Sequence, residues 1–309
     1  MMYISIVTPC YNEAENVADL HQQIQAIMKE RPEIEYDHIF IDNASTDGTV
    51  PVLRQLAKED KRVKVILNAR NFGHIRSPYY ALLQCTADAA IVMASDLQDP
   101  PALIPQFIKK WEEGYKVVLG VKVKSEETPI FYALRTLYYR TLQAFAETKL
   151  VEHATGFGLY DREVIQMLRS LQDPYPYFRG LLAELGYERA TIAYDQPKRV
   201  RGITKNNFYT LYDMAMLGFT NHSRLPLRLA AMIGFLSSLF SFLVGMIYLV
   251  YKLIDWQNFS LGLAPVILGL FFMGSIQLFF LGVVGEYIGA IYTQVLKRPL
   301  VIEKERINF

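Results

Sequence analysis

Cysteine is nearly absent from this chain. Two thiols in 309 residues, Cys10 and Cys85, make neither a disulfide framework nor a cysteine-based metal cluster. Free thiols fit a reducing compartment. Net charge is nearly absent as well: a formal +1 at pH 7 gives no field that would gather nucleic acid, so no nucleic-acid partner is expected. The N-terminus lacks the basic start and apolar length of a signal peptide, and Met1 to Pro9 reads as a first β-strand instead. No glycine-rich dinucleotide fingerprint or phosphate loop follows that strand, which disfavours nicotinamide and P-loop chemistry.

Charge is missing altogether from Leu229 to Tyr251, and again from Leu261 to Gly285. Each run exceeds the ~20 residues that span a bilayer. Two buried helices of a soluble core would keep a polar face, which neither run has. Only Lys252 to Ser260 separates them, so they are expected to form a membrane hairpin. Arg224 and Arg228 precede it; Lys297, Arg298, Lys304 and Arg306 follow it; the connecting loop offers Lys252 alone. The positive-inside rule then puts both chain ends and the N-terminal domain in the cytoplasm, on a multi-pass protein of the cytoplasmic membrane. Gly234, Gly245, Gly269 and Gly274 allow close helix packing and a homo-oligomer.

The N-terminal part alternates strand and helix. Tyr3–Thr8, Tyr36–Ile41, Val63–Leu67, Ala89–Ala94 and Val117–Val121 read as strands. Glu15–Lys29, Thr49–Ala57, a stretch around Pro78 to Cys85, and Pro101–Glu113 read as helices. This alternation predicts an α/β domain with a mostly parallel sheet covered on both faces. Such sheets bind ligands beyond the carboxyl ends of their strands. Three strand ends carry polar clusters: Asn12 and Glu13, then Asp42 to Asp47, then Asp96 to Asp99. In Asp96-Leu97-Gln98-Asp99-Pro100-Pro101, a carboxylate and a carboxamide two residues apart offer hard oxygen ligands to one divalent cation. Asp99 reads as the cap of the next helix, and Cys10 as a small packing residue.

Several stretches together resemble family 2 glycosyltransferases of the GT-A fold, most closely those that act on polyprenyl phosphates. They are Thr8-Pro9-Cys10-Tyr11-Asn12-Glu13, the Asp42–Thr49 loop, Asn71-Phe72-Gly73, Asp96 to Pro101, Phe178-Arg179-Gly180, Lys198–Lys205 and the hairpin ending Gly285-Glu286-Tyr287-Ile288-Gly289. The resemblance implies a GT-A catalytic domain over 1–205, interfacial helices over 206–226, the hairpin within 227–291 and a cytoplasmic tail over 292–309. It implies inverting transfer of a sugar from a UDP- or GDP-linked donor to polyprenyl phosphate at the bilayer surface. Donor-binding residues would be Pro9, Tyr11, Asn12, Glu13, Asn43, Ser45, Asp47 and Gly73, although Ser45 and Asp47 equally suit a plain turn. Asp96 and Gln98 would hold Mg²⁺ or Mn²⁺ against the leaving diphosphate. The acceptor phosphate is already anionic, so cations matter more than a general base. Lys122, Arg135, Arg140, Arg199, Arg201 and Lys205 are candidates, with Arg135 and Arg199 placed beside Asp96 in catalysis. The same cations also suit a surface drawn to anionic lipid. His74 fits either a phosphate contact or a structural role.

Expected charges are missing at four positions. Close relatives carry an acid where this chain has Ala94. The alignment also sets Gly156 on an acid and Gly158 on an arginine, and Asn43 stands in place of a second acid in the nucleotide loop. Two other readings therefore remain: an enzyme that extends a polysaccharide or glycolipid, and a silent homologue that binds nucleotide-sugar at the membrane.

Overall fold

Period-two patterning builds the first strand, β1 (Met2–Cys10). Ile4 and Ile6 join one core cluster, while Val7 joins the cluster on the opposite face. The computed structural model describes residues 2–124, 154–197, 225–254 and 263–309. In it β1 lies parallel between β2 (Ile34–Asp42) and β4 (Ala89–Val92), with β3 (Val63–Asn68) parallel beyond β2. The remaining strands are β5 (Val117–Lys124), β6 (Ala154–Asp161), β7 (Arg189–Asp195) and β8 (Glu303–Ile307). Together they form one eight-stranded sheet in the order β7-β5-β6-β4-β1-β2-β3-β8. Strands β6 and β8 run antiparallel to their neighbours; the rest are parallel. The sheet is GT-A-like and mostly parallel, and β1, β2 and β4 end on a common edge.

Helices cover both faces. On one side α1 (Val17–Lys29) buries Val17, Leu20, Ile24 and Met28, the one-sided spacing of an amphipathic helix. Beside it lie α2 (Thr49–Glu59) and α4 (Ile104–Glu112), the latter entered through a 3₁₀ turn at Pro101–Leu103. On the other side α3 (Gly73–Leu83), α5 (Arg162–Leu171) and α6 (Phe178–Glu184) pack Tyr79, Leu82, Val164, Leu168 and Leu181 against Val7, Ile39 and Ile41. Each aliphatic side chain so buried contributes about 1.5–3 kcal/mol.

Three boundaries differ from the sequence reading. Strand β4 ends at Val92 rather than Ala94, which leaves Met93 to Asp99 free to fold as a loop. Helix α3 starts at Gly73, well before Pro78, and carries that proline inside it. Pro78 therefore has no N–H for the carbonyl of His74 one turn back. The third difference is the tail expected over 292–309. The second apolar helix runs on to Leu296, and β8 then returns to the sheet and pairs with β3. The catalytic domain thus takes its last strand from the C-terminus. A strand of five residues with no apolar run carries little signal, because its partner is remote in sequence.

The two long helices are α7 (Leu225–Ile254) and α8 (Leu263–Leu296). Both are long and apolar enough to cross a membrane, with mean hydropathy 2.1 and 2.2, and neither buries its apolar window within the protein. Helix α8 has 34 residues, hence about 50 Å, against a hydrocarbon core of about 30 Å. Its last turns, from Glu286 onward, therefore extend past the uncharged run. The expected interfacial helix over 206–226 lies almost wholly outside the described residues.

A polar network sits inside the α1 side of the sheet. His38 Nε2 lies 2.9 Å from Thr8 Oγ1, and the Nδ1 atoms of His38 and His21 lie 3.1 Å apart. His21 Nε2 faces Asp60 Oδ2 at 3.5 Å. Burial lowers the pKa of both rings, and holds His38 well below its ordinary 6.5 although Asp60 opposes the shift. The unfolded chain then takes up protons that the folded chain refuses. Stability is full above about pH 7 and falls as the pH drops through and below the unfolded value near 6.5. Denaturant midpoints measured from about pH 7 down to about pH 5 are expected to fall for the wild type and to fall less for His38→Gln.

Candidate active site

Strand β1 runs through Pro9 to Cys10, and the chain then turns at Asn12 with φ +57°. The next strand end turns at Ala44 with φ +60°, and the loop after β4 turns at Leu97 with φ +59°. Left-handed backbone is uncommon for non-glycine residues and costs of order 1–3 kcal/mol. Three of the six non-glycine residues with positive φ among the described residues lie in these converging loops.

The first two loops are bonded together. Asn12 N donates to Ser45 Oγ at 2.8 Å, and Asn12 Oδ1 accepts from Thr46 N at 2.8 Å. Glu13 N donates to Thr49 Oγ1 at 2.8 Å, while Asp47 Oδ1 accepts from Thr49 N at 2.9 Å. Ser45 and Asp47 therefore do the work of turn residues here, and Asn12 is a clasp between loops. Asn43 ties in the third segment. Its amide nitrogen donates to Asn71 Oδ1 at 2.9 Å and to Gly73 O at 3.2 Å, and its oxygen accepts from Phe72 N at 2.8 Å and Asn68 Nδ2 at 3.2 Å. An acid at position 43 would lack those two donors, which explains an asparagine there.

Asp42 opens the polar loop that the sequence shows, and the structure gives it a distinct setting. It is 1% exposed, and Oδ2 accepts from Ser45 N at 2.9 Å. Its Oδ1 is buried without a hydrogen-bond partner. Burial raises its pKa, against the bonds from Ser45. Cys10 behaves as a packing residue: it is 2% exposed, and burial beside Asp42 and Glu13 pushes the thiol far up.

In the third loop Gln98 N donates to Asp96 Oδ1 at 3.2 Å, and both side chains remain partly exposed. Asp99 does not cap the following helix. The turn at Pro101–Leu103 has no side-chain cap. Asp99 folds back instead, accepting from Ala94 N at 2.9 Å and from Tyr194 Oη of β7 at 3.0 Å. Burial raises its pKa, partly offset by those bonds and by Lys122. Lys122 itself sits on β5, in register with Tyr194. The other basic candidates, Arg135, Arg140, Arg199, Arg201 and Lys205, lie outside the described residues.

Behind these loops lies a cavity of about 240 Å³. Its walls include Pro9, His74, Ala94, Asp99, Gly156 and Arg179, with an apolar floor of Tyr79, Leu82, Met93 and Phe157. Burial lowers the pKa of His74. Arg179, at the start of α6, joins the site here. The missing charges also find a local reason. A Cβ on Gly158 would stand 2.3 Å from the carbonyl oxygen of Val118 on the neighbouring strand. Gly156 has φ +98°, a backbone that an acidic residue rarely adopts. Neither position accepts the side chain that the alignment expects, so β6 follows a glycine-specific path.

No group of three His, Cys, Asp or Glu that could hold a metal ion occurs among the described residues. Asp96 and Gln98 by themselves offer one carboxylate and one carboxamide oxygen. Such a sparse oxygen set suits a hard cation that takes its remaining ligands from water and substrate phosphate.

A mostly parallel sheet with this strand-edge site, followed by two apolar helices that are candidate membrane spans, fits a glycosyltransferase. The chain belongs to glycosyltransferase family 2: the model described as "Glycosyl transferase family 2" matches residues 5–169, and that of the GtrB C-terminal hairpin matches residues 225–291. "Uncharacterized glycosyltransferase YkcC" of Bacillus subtilis (strain 168) is 34% identical over 299 residues, 96% of this chain and 92% of that one. The bactoprenol glucosyl transferase of Shigella phage SfX is 31% identical over 306 residues, 99% of this chain and 100% of that one. Among solved structures, glucosyl-3-phosphoglycerate synthase from Mycobacterium tuberculosis with Mn²⁺, uridine-diphosphate and phosphoglyceric acid is 18% identical. It covers 71% of this chain and 76% of that chain, at TM-score 0.49.

Proposed function

We propose that this enzyme transfers a sugar from a nucleotide-linked donor to polyprenyl phosphate at the cytoplasmic face of the membrane. The observation that carries the reading is the union, in one chain, of a family 2 catalytic domain with an apolar hairpin, the arrangement shared over nearly full length with a bactoprenol glucosyl transferase. Basic residues on both flanks of the hairpin, among them Arg228, Lys297 and Arg298, support a cytoplasmic catalytic domain.

The residues divide the work as follows. Pro9, Tyr11, Asn12, Glu13 and the Asp42–Asp47 loop form the nucleotide side of the site. Asp96 and Gln98 would hold Mg²⁺ or Mn²⁺, which when bound neutralises charge on the leaving diphosphate. Lys122 and Arg179 add fixed positive charge near the cavity, with Arg135, Arg199 and Arg201 as further candidates. The acceptor oxygen arrives as an anion, so the protein's task is to hold it in line with the sugar carbon opposite the diphosphate. A single displacement of that kind inverts the sugar carbon.

Incubating the purified full-length protein with labelled nucleotide sugars, undecaprenyl phosphate and Mg²⁺ or Mn²⁺ tests this. Labelled sugar is expected in the organic extract with at least one donor. Nucleotide binding without labelled lipid from any donor would overturn the transfer reading and favour a silent nucleotide-sugar binder.

A further inference from the structure

The segment after α8 lies beyond both family matches, which end at residues 169 and 291. It is nevertheless built into the catalytic sheet. Strand β8 runs antiparallel along β3, with Val65 opposite Ile307 and Leu67 opposite Glu305. Asn308 Nδ2 donates to Ala57 O at 2.6 Å and Val63 O at 2.9 Å, and Tyr80 Oη donates to Glu303 Oε1 at 2.9 Å. Arg54 pairs with Glu305, but both are well exposed, and such pairs contribute little.

Upstream of β8 the same segment grips the turn after β3. Ala69 N donates to Ile302 O at 2.8 Å, and Arg76 Nη2 donates to Pro299 O. The guanidinium groups of Arg70 and Arg76 lie 4.0 and 5.5 Å from the centre of the Phe72 ring. Phe72 N in turn donates to Asn43 Oδ1 at 2.8 Å. Hydrogen bonds and ring contacts therefore run without a gap from the end of the second apolar helix, through residues 299–302 and 69–76, to the loop that begins at Asp42.

We propose that the C-terminal segment 299–307 is a positioning element of the donor site, acting through Arg76 and the 69–73 turn to hold Asn43 and its loop. The proposal rests on the reading of that loop as the nucleotide side of the site. Its physical basis is direct. The turn at 69–73 is irregular backbone, and two of its links to the rest of the chain, Ala69 N and the Phe72 ring, are made through or beside the tail. Because the tail continues α8, the register of the nucleotide loop depends on the membrane hairpin. Covering the open edge of β3 is a second consequence of the same strand.

The test uses full-length protein in detergent. Arg76→Gln, Arg76→Lys and a chain ending at Arg298 are compared with the wild type. Dissociation constants for UDP and GDP with Mn²⁺ are measured, and amide hydrogen exchange is followed over 42–48, 69–76 and α1. For Arg76→Gln, affinity for the bound nucleotide is expected to fall about tenfold, the effect of losing one charge-assisted hydrogen bond. Exchange should quicken over 69–76 and 42–48 with α1 unchanged, and Arg76→Lys should recover part of both effects. Unchanged exchange at 42–48 in Arg76→Gln, or equal acceleration in α1, would overturn the proposal, whether or not the shortened chain folds. If the wild type binds neither nucleotide, the donor reading fails, and the exchange pattern still decides the coupling.

Discussion

Asp96→Asn is expected to abolish sugar transfer, by about 10²-fold or more, and to leave the fold intact. Asp96 stands in the loop after β4, partly exposed, beside the left-handed residue Leu97. Its Oδ1 accepts from Gln98 N at 3.2 Å, a bond that an asparagine oxygen also accepts. Shape and loop geometry therefore survive, while the negative charge is lost. A hard divalent cation bound by few protein oxygens depends on that charge. Removing one preorganised electrostatic element at the point where charge develops costs about 10²–10³ in rate. The labelled-lipid assay across a Mn²⁺ titration reads the loss, and thermal unfolding with and without Mn²⁺ reads the metal independently of turnover. Wild-type protein should gain stability from the metal and the variant should not. Full transfer by Asp96→Asn would remove Asp96 from the metal site.

Gly158→Ala is expected to cost at least about 3 kcal/mol of stability, at the upper end of what overpacking a core costs. The added carbon would meet Val118 O at 2.3 Å and the Cα of Leu119 at 3.2 Å, both backbone atoms of the paired strand. A flexible side chain could swing aside; a hydrogen-bonded strand cannot without breaking its ladder. Here β6 is held on both sides, Gly158 lying opposite Val92 and opposite Leu119. Gly158→Arg, which introduces the residue that the resemblance implies at this position, should fail to yield folded protein. Urea unfolding of Gly158→Ala measures the cost, and a midpoint equal to the wild type's would show that β5 and β6 part freely. The close pairing of β5 and β6 in this chain thus leaves no room for a side chain at position 158.

Much of the fold was legible in local pattern. Strands β1 to β5 and helices α1, α2 and α4 lie close to where period-two and helical spacing put them, because burying one face imposes those periods. Strands β6 and β7 and helices α5 and α6 had no such reading. The three polar strand ends were legible too, since apolar runs stop abruptly at Asn12, Asp42 and Asp96. The misreadings concern partners distant along the chain. Asp99 looked like a cap because it precedes Pro100 and Pro101; its actual bond to Tyr194 spans 95 residues. Strand β8 looked like a tail because its partner, β3, is far upstream.

The amino-acid sequence therefore settled the class of protein, the α/β domain and the two apolar helices, and it pointed to the loops proposed to carry the chemistry. These follow from local periodicity, charge distribution and short motifs, which depend on near neighbours only. The structure decided what those loops do for one another: Asn12 and Asn43 as clasps, Asp42 with a buried free oxygen, Asp99 braced by Tyr194, and β8 closing the sheet. Each of these depends on distances between residues far apart in sequence, and only a packed chain sets them.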